Sequence, residues 1–394
     1  MAQFLMRPAA DPGRLRLLIL QPTPYCNLSC DYCYLPGRDL RSRMADETLE
    51  GICANIFSSG LVGSDFSLVW HGGEPLSLPP SWYRNAFAII EAHRPTATRI
   101  YYGLQTNAVG LNQTWIDLFR AQDLRVGISI DGPAFLHDAR RKTRKGGPSH
   151  ALTMRGVRAM QEAGMPFHVI AVITEAHLDH ADAFYDFFVS HGIRDIGMNV
   201  EEIEGINLQS TLQASNIESR FRLFFRRLLE RMGREPGRLF LREATGAAGA
   251  ILGGETADEN DQIMPMAIMT VGVDGTVSTF SPELLGHAGT GYGAFSFGDL
   301  AREPAQAIMD RIHHSAMYRD ILAGAHACRD TCAYFRVCGG GAPANKWFET
   351  SRFDSTETLY CRLMRKVVVD EVLANMEQGL GLTVAKPEAL KLEA

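Results

Sequence analysis

Between residues 15 and 232, short aliphatic runs alternate with stretches in which apolar side chains recur at every third and fourth position. A short run with no polar break can be buried on both faces, which suits a strand of a parallel sheet, and the three-four spacing puts an apolar stripe on one face of a covering helix. The pattern predicts strands at 17–20, 67–70, 100–105, 126–130, 168–173 and 196–200, and helices at 46–57, 82–93, 114–121, 152–163, 181–191 and 217–232. Successive β-α units of this kind predict an α/β fold in which right-handed crossovers close a curved sheet or partial barrel.

The rhythm stops at Gly233-Arg234-Glu235-Pro236-Gly237, a cluster of helix breakers and charge that marks a domain boundary and divides the chain into residues 1–235 and 236–394. Beyond it a hairpin is expected from 269–273 to 276–280, turning at Asp274-Gly275, a dipeptide suited to a type I′ turn. A loop-rich, cysteine-bearing stretch follows, then a last helix over 356–377 with Cys361 near its start. No internal repeat or low-complexity segment interrupts this order.

Composition is that of an ordinary folded protein, with 46% hydrophobic and 21% charged residues. The formal net charge of -6 argues against nucleic acid as a partner. The one short basic run, residues 140–145, is expected to be a solvated loop. No apolar stretch reaches the roughly 20 residues that span a bilayer, and the N-terminus lacks the order of a signal peptide, so a cytoplasmic protein without a membrane partner is expected. About 15 residues precede the first strand. They are too few for a separate binding module, which leaves any recognition to the strand-end loops, the second domain or another protein.

The 8 cysteines are unevenly spaced: three at the front, four at the back, and Cys53 alone in an amphipathic helix, where a small core residue is expected. In a reducing compartment this spacing implies two sulfur sites rather than a disulfide scaffold. Cys26, Cys30 and Cys33 directly follow the first strand, where a parallel sheet presents its active-face loops. Three thiolates can hold three irons of a cubane and leave the fourth open to a small ligand, whereas a closed ferredoxin-type site needs four. A zinc site would instead gather four ligands in one cluster.

This Cys-x3-Cys-x2-Cys arrangement resembles the radical S-adenosylmethionine (SAM) superfamily, in which the amino and carboxylate groups of SAM complete the open iron of a 4Fe-4S cluster. The resemblance implies a partial (β/α)6 TIM-like barrel and extends to strand ends. His71-Gly72-Gly73-Glu74-Pro75 resembles the superfamily's GGEP motif, with Gly72 and Gly73 letting the backbone approach the ligand and Glu74 accepting the SAM ammonium. Gln105-Thr106-Asn107 stands where related enzymes meet SAM, and Ser129 to Pro133, with Asp131, resembles the ribose-contacting segment. Tyr32, Val172, Ile173 and Met198 are adenine-neighbour candidates that serve equally well as core residues.

Cys328, Cys332 and Cys338, followed by Cys361, supply four thiolates, enough to close a second cluster. The spacing resembles the SPASM extension of radical SAM peptide-modifying enzymes. Where a full extension carries another cysteine after Cys338-Gly-Gly-Gly, Ala342 stands here, and the hairpin ends in Ser278-Thr279-Phe280-Ser281-Pro282 without cysteine. One auxiliary 4Fe-4S cluster is therefore expected, with a zinc knuckle as the alternative.

The hairpin segment through Gly286, the pair Asn345-Lys346, the segment from Phe353 to Thr358 and the run Asn199 to Gly205 together resemble the three-residue cyclophane-forming radical SAM/SPASM peptide maturases. That resemblance implies a ribosomally made precursor peptide as substrate, an electron donor such as flavodoxin or ferredoxin, and a cross-link from an aromatic side-chain carbon to the β-carbon of a residue two positions later. Restoring the ring's aromaticity then needs an electron acceptor and a base, for which Glu201, Glu202, Glu204 and Glu283 are candidates. The same front motifs would serve side-chain oxidation, thioether formation or epimerisation. A non-catalytic iron-sulfur or zinc protein that binds a peptide is the reading from a different class.

Overall fold

A computed structural model describes residues 15–253 and 260–380. The outer ends of the two expected domains, 1–14 and 381–394, lie outside the described residues. The first half lays down β1 (Leu15–Leu20), β2 (Leu28–Cys30), α1 (Asp46–Phe57), β3 (Val62–Trp70), α2 (Pro80–His93), β4 (Arg99–Thr106), α3 (Gln113–Ala121) and β5 (Arg125–Ser129). It continues with α4 (Ala134–Arg140), β6 (Arg141–Thr143), α5 (His150–Glu162), β7 (Phe167–Ile173), α6 (Ala181–Ser190), β8 (Asp195–Val200) and α7 (Ile217–Arg234). Each expected strand and helix is present, to within a few residues at its ends.

β1, β3, β4, β5, β7 and β8 pair in parallel in that order. The sheet does not stop at residue 235. β9 (Phe240–Leu241) adds in parallel beside β8, and β10 (Ile268–Val271) adds in parallel beside β1. β11 (Thr276–Thr279) and β14 (Gly298–Asp299) extend that edge antiparallel, while β12 (Ala288–Gly289) and β13 (Gly293–Ala294) pair by themselves. The ten-stranded sheet ends at β14 and β9, which do not pair, so the barrel is partial. β9 is two residues long, too short to leave a periodic signal in the sequence.

The hairpin turn differs from expectation. Gly275 N–H donates to Gly272 O, and of the loop residues Gly275 has positive φ. Type I′ needs positive φ at both central positions; this loop is instead one residue longer, three residues closing on a left-handed glycine, which shifts the strands to Val271 opposite Val277. α8 (Arg242–Gly253), α9 (Ala305–His314), α10 (Ala316–Thr331), α11 (Phe335–Cys338) and α12 (Pro343–Thr350) complete the second half with α13 (Val368–Gly379). Ahead of α13 the chain is irregular to Thr358 and then winds as a wider π-helical turn over Cys361–Val367, so the last helix starts later than its apolar spacing suggests.

One continuous core joins both halves, from Leu15 to Val372. Trp70 at the end of β3 packs edge-on against Trp82, Tyr83 and Phe87 of α2, which fixes the helix to the strand whose end carries the HGGEP segment. At the seam, a Cβ on Gly51 of α1 would come to 2.2 Å of Ala301 O, and Asn55 Nδ2 donates to Leu300 O at 2.9 Å. Arg222 and Arg226 of α7 hold Glu371 of α13. Among the described residues no helix is long and apolar enough to cross a membrane.

Candidate functional site

A cavity of about 380 Å³ lies at the ends of the parallel strands, within the roughly 300–1,000 Å³ common for small-molecule sites. The connection after β1 brings Cys26, Cys30 and Cys33 to its wall, with Tyr32 and Tyr34. This connection is shaped by pairing: β2 runs antiparallel to β6, setting Cys30 opposite Arg141. Burial, the Glu74 carboxylate and the neighbouring Cys30 and Cys33 thiols push the Cys26 thiol up to about 12. Burial likewise pushes Cys30 up to about 11, against the Arg141 guanidinium. Three soft donors on one loop fit an iron-sulfur group, whose positive charge would hold them as thiolates. Leu28 N–H donates to Cys26 Sγ at 3.4 Å and Asn107 Nδ2 lies 3.9 Å from it.

The HGGEP segment packs on this loop. A Cβ on Gly73 would stand 2.5 Å from Thr23 O and Tyr25 O, and one on Gly72 would stand 2.7 Å from Gln21 Cγ. Both glycines have positive φ. Their structural reason is close approach to the cysteine loop, a different partner from the small ligand expected, although both also line the cavity. Glu74 Oε1 accepts from Leu76 N–H at 2.9 Å and Thr106 Oγ1 at 2.5 Å, and Oε2 accepts from Asn107 N–H at 2.8 Å. Burial still outweighs these donors and lifts its carboxyl to about 7, so a cation brought to the cavity would keep it ionised.

Gln105 Nε2 donates to Ser129 Oγ at 2.9 Å, and both line the cavity. Gly127 makes this possible, since a Cβ there would lie 2.0 Å from Gln105 Oε1. Asn107 Nδ2 donates to Asn27 Oδ1 at 2.7 Å, tying the β4 end to the cysteine loop. Val172 lines the cavity, whereas Met198 and Ile173 are fully buried and off its wall. Asn199 stands there beside Met198, because adjacent strand residues face opposite sides.

Asp131 is also off the wall, buried behind it. Its Oδ2 accepts from Tyr32 OH at 2.5 Å and Arg141 Nε at 2.9 Å, and its Oδ1 accepts from Val172 N–H at 2.9 Å. Two histidines hold its backbone: Asp131 N–H donates to His137 Nδ1, and His177 Nε2 lies 2.9 Å from Asp131 O. With Nδ1 accepting, His137 donates from Nε2 to Ser149 Oγ, which donates to Arg141 O at 2.6 Å. The circuit places Arg141 and Tyr32 on the cavity wall.

The basic run is therefore not a solvated loop. Arg141 pairs with Asp131, Arg140 with Glu201, Lys142 with Asp31 and Arg144 with Asp39. These four cations meet carboxylates supplied by other segments, which a local charge count cannot register, while Lys145 is exposed.

Glu201, Glu202, Glu204 and Glu283 all line the cavity, but they differ in bonding. Glu201 Oε1 is ion-paired with Arg140, and its Oε2 accepts from Thr211 N–H at 2.7 Å and from the Thr211 hydroxyl. Its oxygens are occupied. Glu202 and Glu204 share one amide: Asn345 Nδ2 donates to Glu202 Oε2 and to Glu204 Oε1, the latter at 3.0 Å. Burial pushes Glu202 up to about 8, and burial with the Glu202 charge pushes Glu204 well above the carboxylate range. Burial raises Glu283 too. Tyr34 OH is buried beside Glu283 and Glu204 without a hydrogen-bond partner among the described residues. Tyr34, Arg141 and Asn345 were not candidates in the sequence, where the basic run and the Asn-Lys pair were their faint signals.

Cys328, Cys332, Cys338 and Cys361 gather from α10, α11 and the π-helical turn. After burial, Cys338 and Cys332 are among the charges raising both Cys328 and Cys361, the latter to about 11. Four thiols drawn from three elements to one place fit a closed thiolate site. Cys53 is buried in α1, as a core residue should be.

Residues 20–188 match the Radical SAM superfamily. The chain is 41% identical over 374 residues to an uncharacterized protein of Synechocystis sp., covering 94% of each. A serine-type anaerobic sulfatase-maturating enzyme of Klebsiella aerogenes is 31% identical over 207 residues, which cover 52% of this chain and 51% of that enzyme. Among solved structures, native anSMEcpe with bound AdoMet superposes with a TM-score of 0.74 at 19% identity, covering 92% of this chain and 98% of that one. Streptococcus suis SuiB bound to precursor peptide SuiA gives 0.58 at 15% identity, covering 89% and 76%. These two structures share the fold.

Proposed function

We propose a function from one premise: the chain belongs to the radical SAM superfamily. Cys26, Cys30 and Cys33 would hold a 4Fe-4S cluster open to SAM, and Cys328, Cys332, Cys338 and Cys361 would hold an auxiliary one. When bound, these groups would supply a 5′-deoxyadenosyl radical, able to remove hydrogen from an unactivated carbon, and a one-electron acceptor. The substrate we propose is a ribosomally made precursor peptide. Its product would be a three-residue cyclophane, joining an aromatic side-chain carbon to the β-carbon two residues later.

The observation that carries this reading is a single cavity lined both by the front cysteines and by three half-buried carboxyl groups, Glu202, Glu204 and Glu283, with no ion-pair partner among the described residues. After ring attack, one proton must leave a ring carbon. Carboxyl groups raised above the ordinary carboxylate range are matched to that task. Asn345 would hold the Glu202–Glu204 pair in place, and Tyr32 and Arg141 would order the wall facing SAM.

A peptide or protein substrate accords with the names of the relatives, a sulfatase-maturating enzyme and a structure with a bound precursor peptide. The sulfatase-maturase likeness also favours a second reading, oxidation of a side chain without cross-linking. Anaerobic reaction of the reconstituted protein with SAM, a reductant such as flavodoxin and candidate precursor peptides drawn from the reading frames adjoining its gene tests both. Release of 5′-deoxyadenosine with loss of two hydrogens from the peptide is expected, and carbon connectivity by NMR separates a cross-link or thioether from an oxidised side chain. An unchanged mass with inverted stereochemistry would mean epimerisation, and no 5′-deoxyadenosine at all would mean a binding protein.

A further inference from the structure

α12 carries two adjacent buried polar residues with different partners. Asn345 bridges Glu202 and Glu204 on the cavity side. Lys346, 4% exposed, turns to the back cysteines, with Nζ 3.9 Å from Cys328 Sγ. Cys338 and Cys361 are the other thiols whose charge reaches it. Asp354 is near enough to feel this ammonium but is ion-paired with Arg352, and no carboxylate of the described residues is ion-paired with Lys346. Room for it is built in: a Cβ on Gly324, one turn before Cys328 on α10, would stand 2.9 Å from Lys346 Nζ.

Removing an ammonium from water without a counter-ion is costly, and a chain that does so must repay the cost with negative charge nearby. Four thiolates around an oxidised 4Fe-4S core leave the assembly net negative, and reduction adds one more electron. A fixed cation at Cys328 stabilises the reduced form more than the oxidised form, which raises the potential.

We propose that Lys346 is the buried counter-charge of the auxiliary cluster and sets its potential high enough to take the substrate's electron. This rests on the reading that the four back cysteines hold such a cluster. The step balances: the new carbon–carbon bond leaves a ring radical, one electron reduces the auxiliary cluster, and the proton released as the ring C–H bond breaks goes to the Glu202–Glu204 pair. Asn345 and Lys346 thus position the two acceptors from consecutive residues of one helix. Lys346 is a positioning residue, acting through the cluster.

The test is a redox titration followed by electron paramagnetic resonance on the full chain with Cys26, Cys30 and Cys33 replaced by Ala, so that only the back site holds iron. Lys346→Met is expected to lower the potential by at least the equivalent of a tenfold change in the reduced-to-oxidised ratio, which is about 59 mV for one electron. Lys346→Arg should stay near the parent value. Equal potentials for Met and Lys at equal iron content overturn the proposal. Should Met lose iron, Lys346→Gln replaces it. Iron kept by Arg but lost by both Met and Gln supports the counter-charge role, and iron lost by all three overturns it in favour of packing. A parent chain that takes up no iron at the back site overturns the cluster reading itself, and the proposal with it.

Discussion

Arg141 Nε lies 2.9 Å from Asp131 Oδ2 with both side chains almost fully buried, so the segment after α4 is locked to the end of β5 by charge. Asp131→Asn would leave the guanidinium buried and unpaired while keeping the side-chain shape. The expected loss is about 3–5 kcal/mol of stability, read as a lower urea midpoint with an unchanged slope. Burial pushes the Asp131 carboxyl up, but Arg141 and its other partners outweigh it, and the group sits below the ordinary carboxylate range. A depressed acid contributes stability above its unfolded value of about 4, and that contribution fades as pH falls through the folded value. The Asn variant should lose this part of the acid sensitivity.

Glu202 predicts the opposite slope. Its folded value of about 8 stands above the ordinary 4.5 because burial disfavours the charged form. The folded state then binds more protons than the unfolded state, so stability should fall as pH rises through that window. Glu202→Gln should flatten the fall, measured as urea midpoints from pH 5 to about pH 8. If the carboxylate takes the ring proton, product formation in the parent should rise with pH over the same range. The Gln variant should lose roughly 100-fold in product while still cleaving SAM.

The β-α rhythm was legible because each parallel strand is buried on both faces and each helix on one. β9 and the parallel placement of β10 were not, since two- and four-residue strands carry no period and their partners lie far away in sequence. Cysteine spacing suggested the front trio because thiols on one loop are near in sequence, whereas Cys361 reaches the back group from a separate element. Asp131 was read as a ligand contact, yet its carboxylate meets Tyr32, Arg141 and Val172, contacts that appear only when three strand ends converge. Arg140 and Arg141 looked like solvated charge for the same reason.

Iron content tests the division of the cysteines. Anaerobic reconstitution should give about eight irons per chain, and Cys26→Ala, Cys30→Ala and Cys33→Ala together should leave about four and abolish 5′-deoxyadenosine. Cys53→Ala should keep all the iron and cost about 1 kcal/mol, a small cavity in the α1 core. Loss of iron with Cys53→Ala would show that the division is wrong.

The back cysteines allow two roles that a single variant separates. Cys361 stands at the first residue of the π-helical turn, joining α13 to Cys328, Cys332 and Cys338. If the metal site serves as a staple, Cys361→Ala should loosen the second half, and because strands β10 and β11 share the barrel sheet, SAM cleavage and peptide binding should fall together. If the site takes the electron left after ring attack, a folded Cys361→Ala chain should still form 5′-deoxyadenosine but yield little cross-linked peptide, since the ring radical has no route to oxidation. The measurement is the ratio of cross-linked peptide to 5′-deoxyadenosine, with folding followed by circular dichroism. We expect a fall in that ratio of about tenfold or more, corresponding to roughly 1.4 kcal/mol in the partition between oxidation and unproductive decay. An unchanged ratio in a folded chain without the back cluster would exclude it as the obligatory electron acceptor.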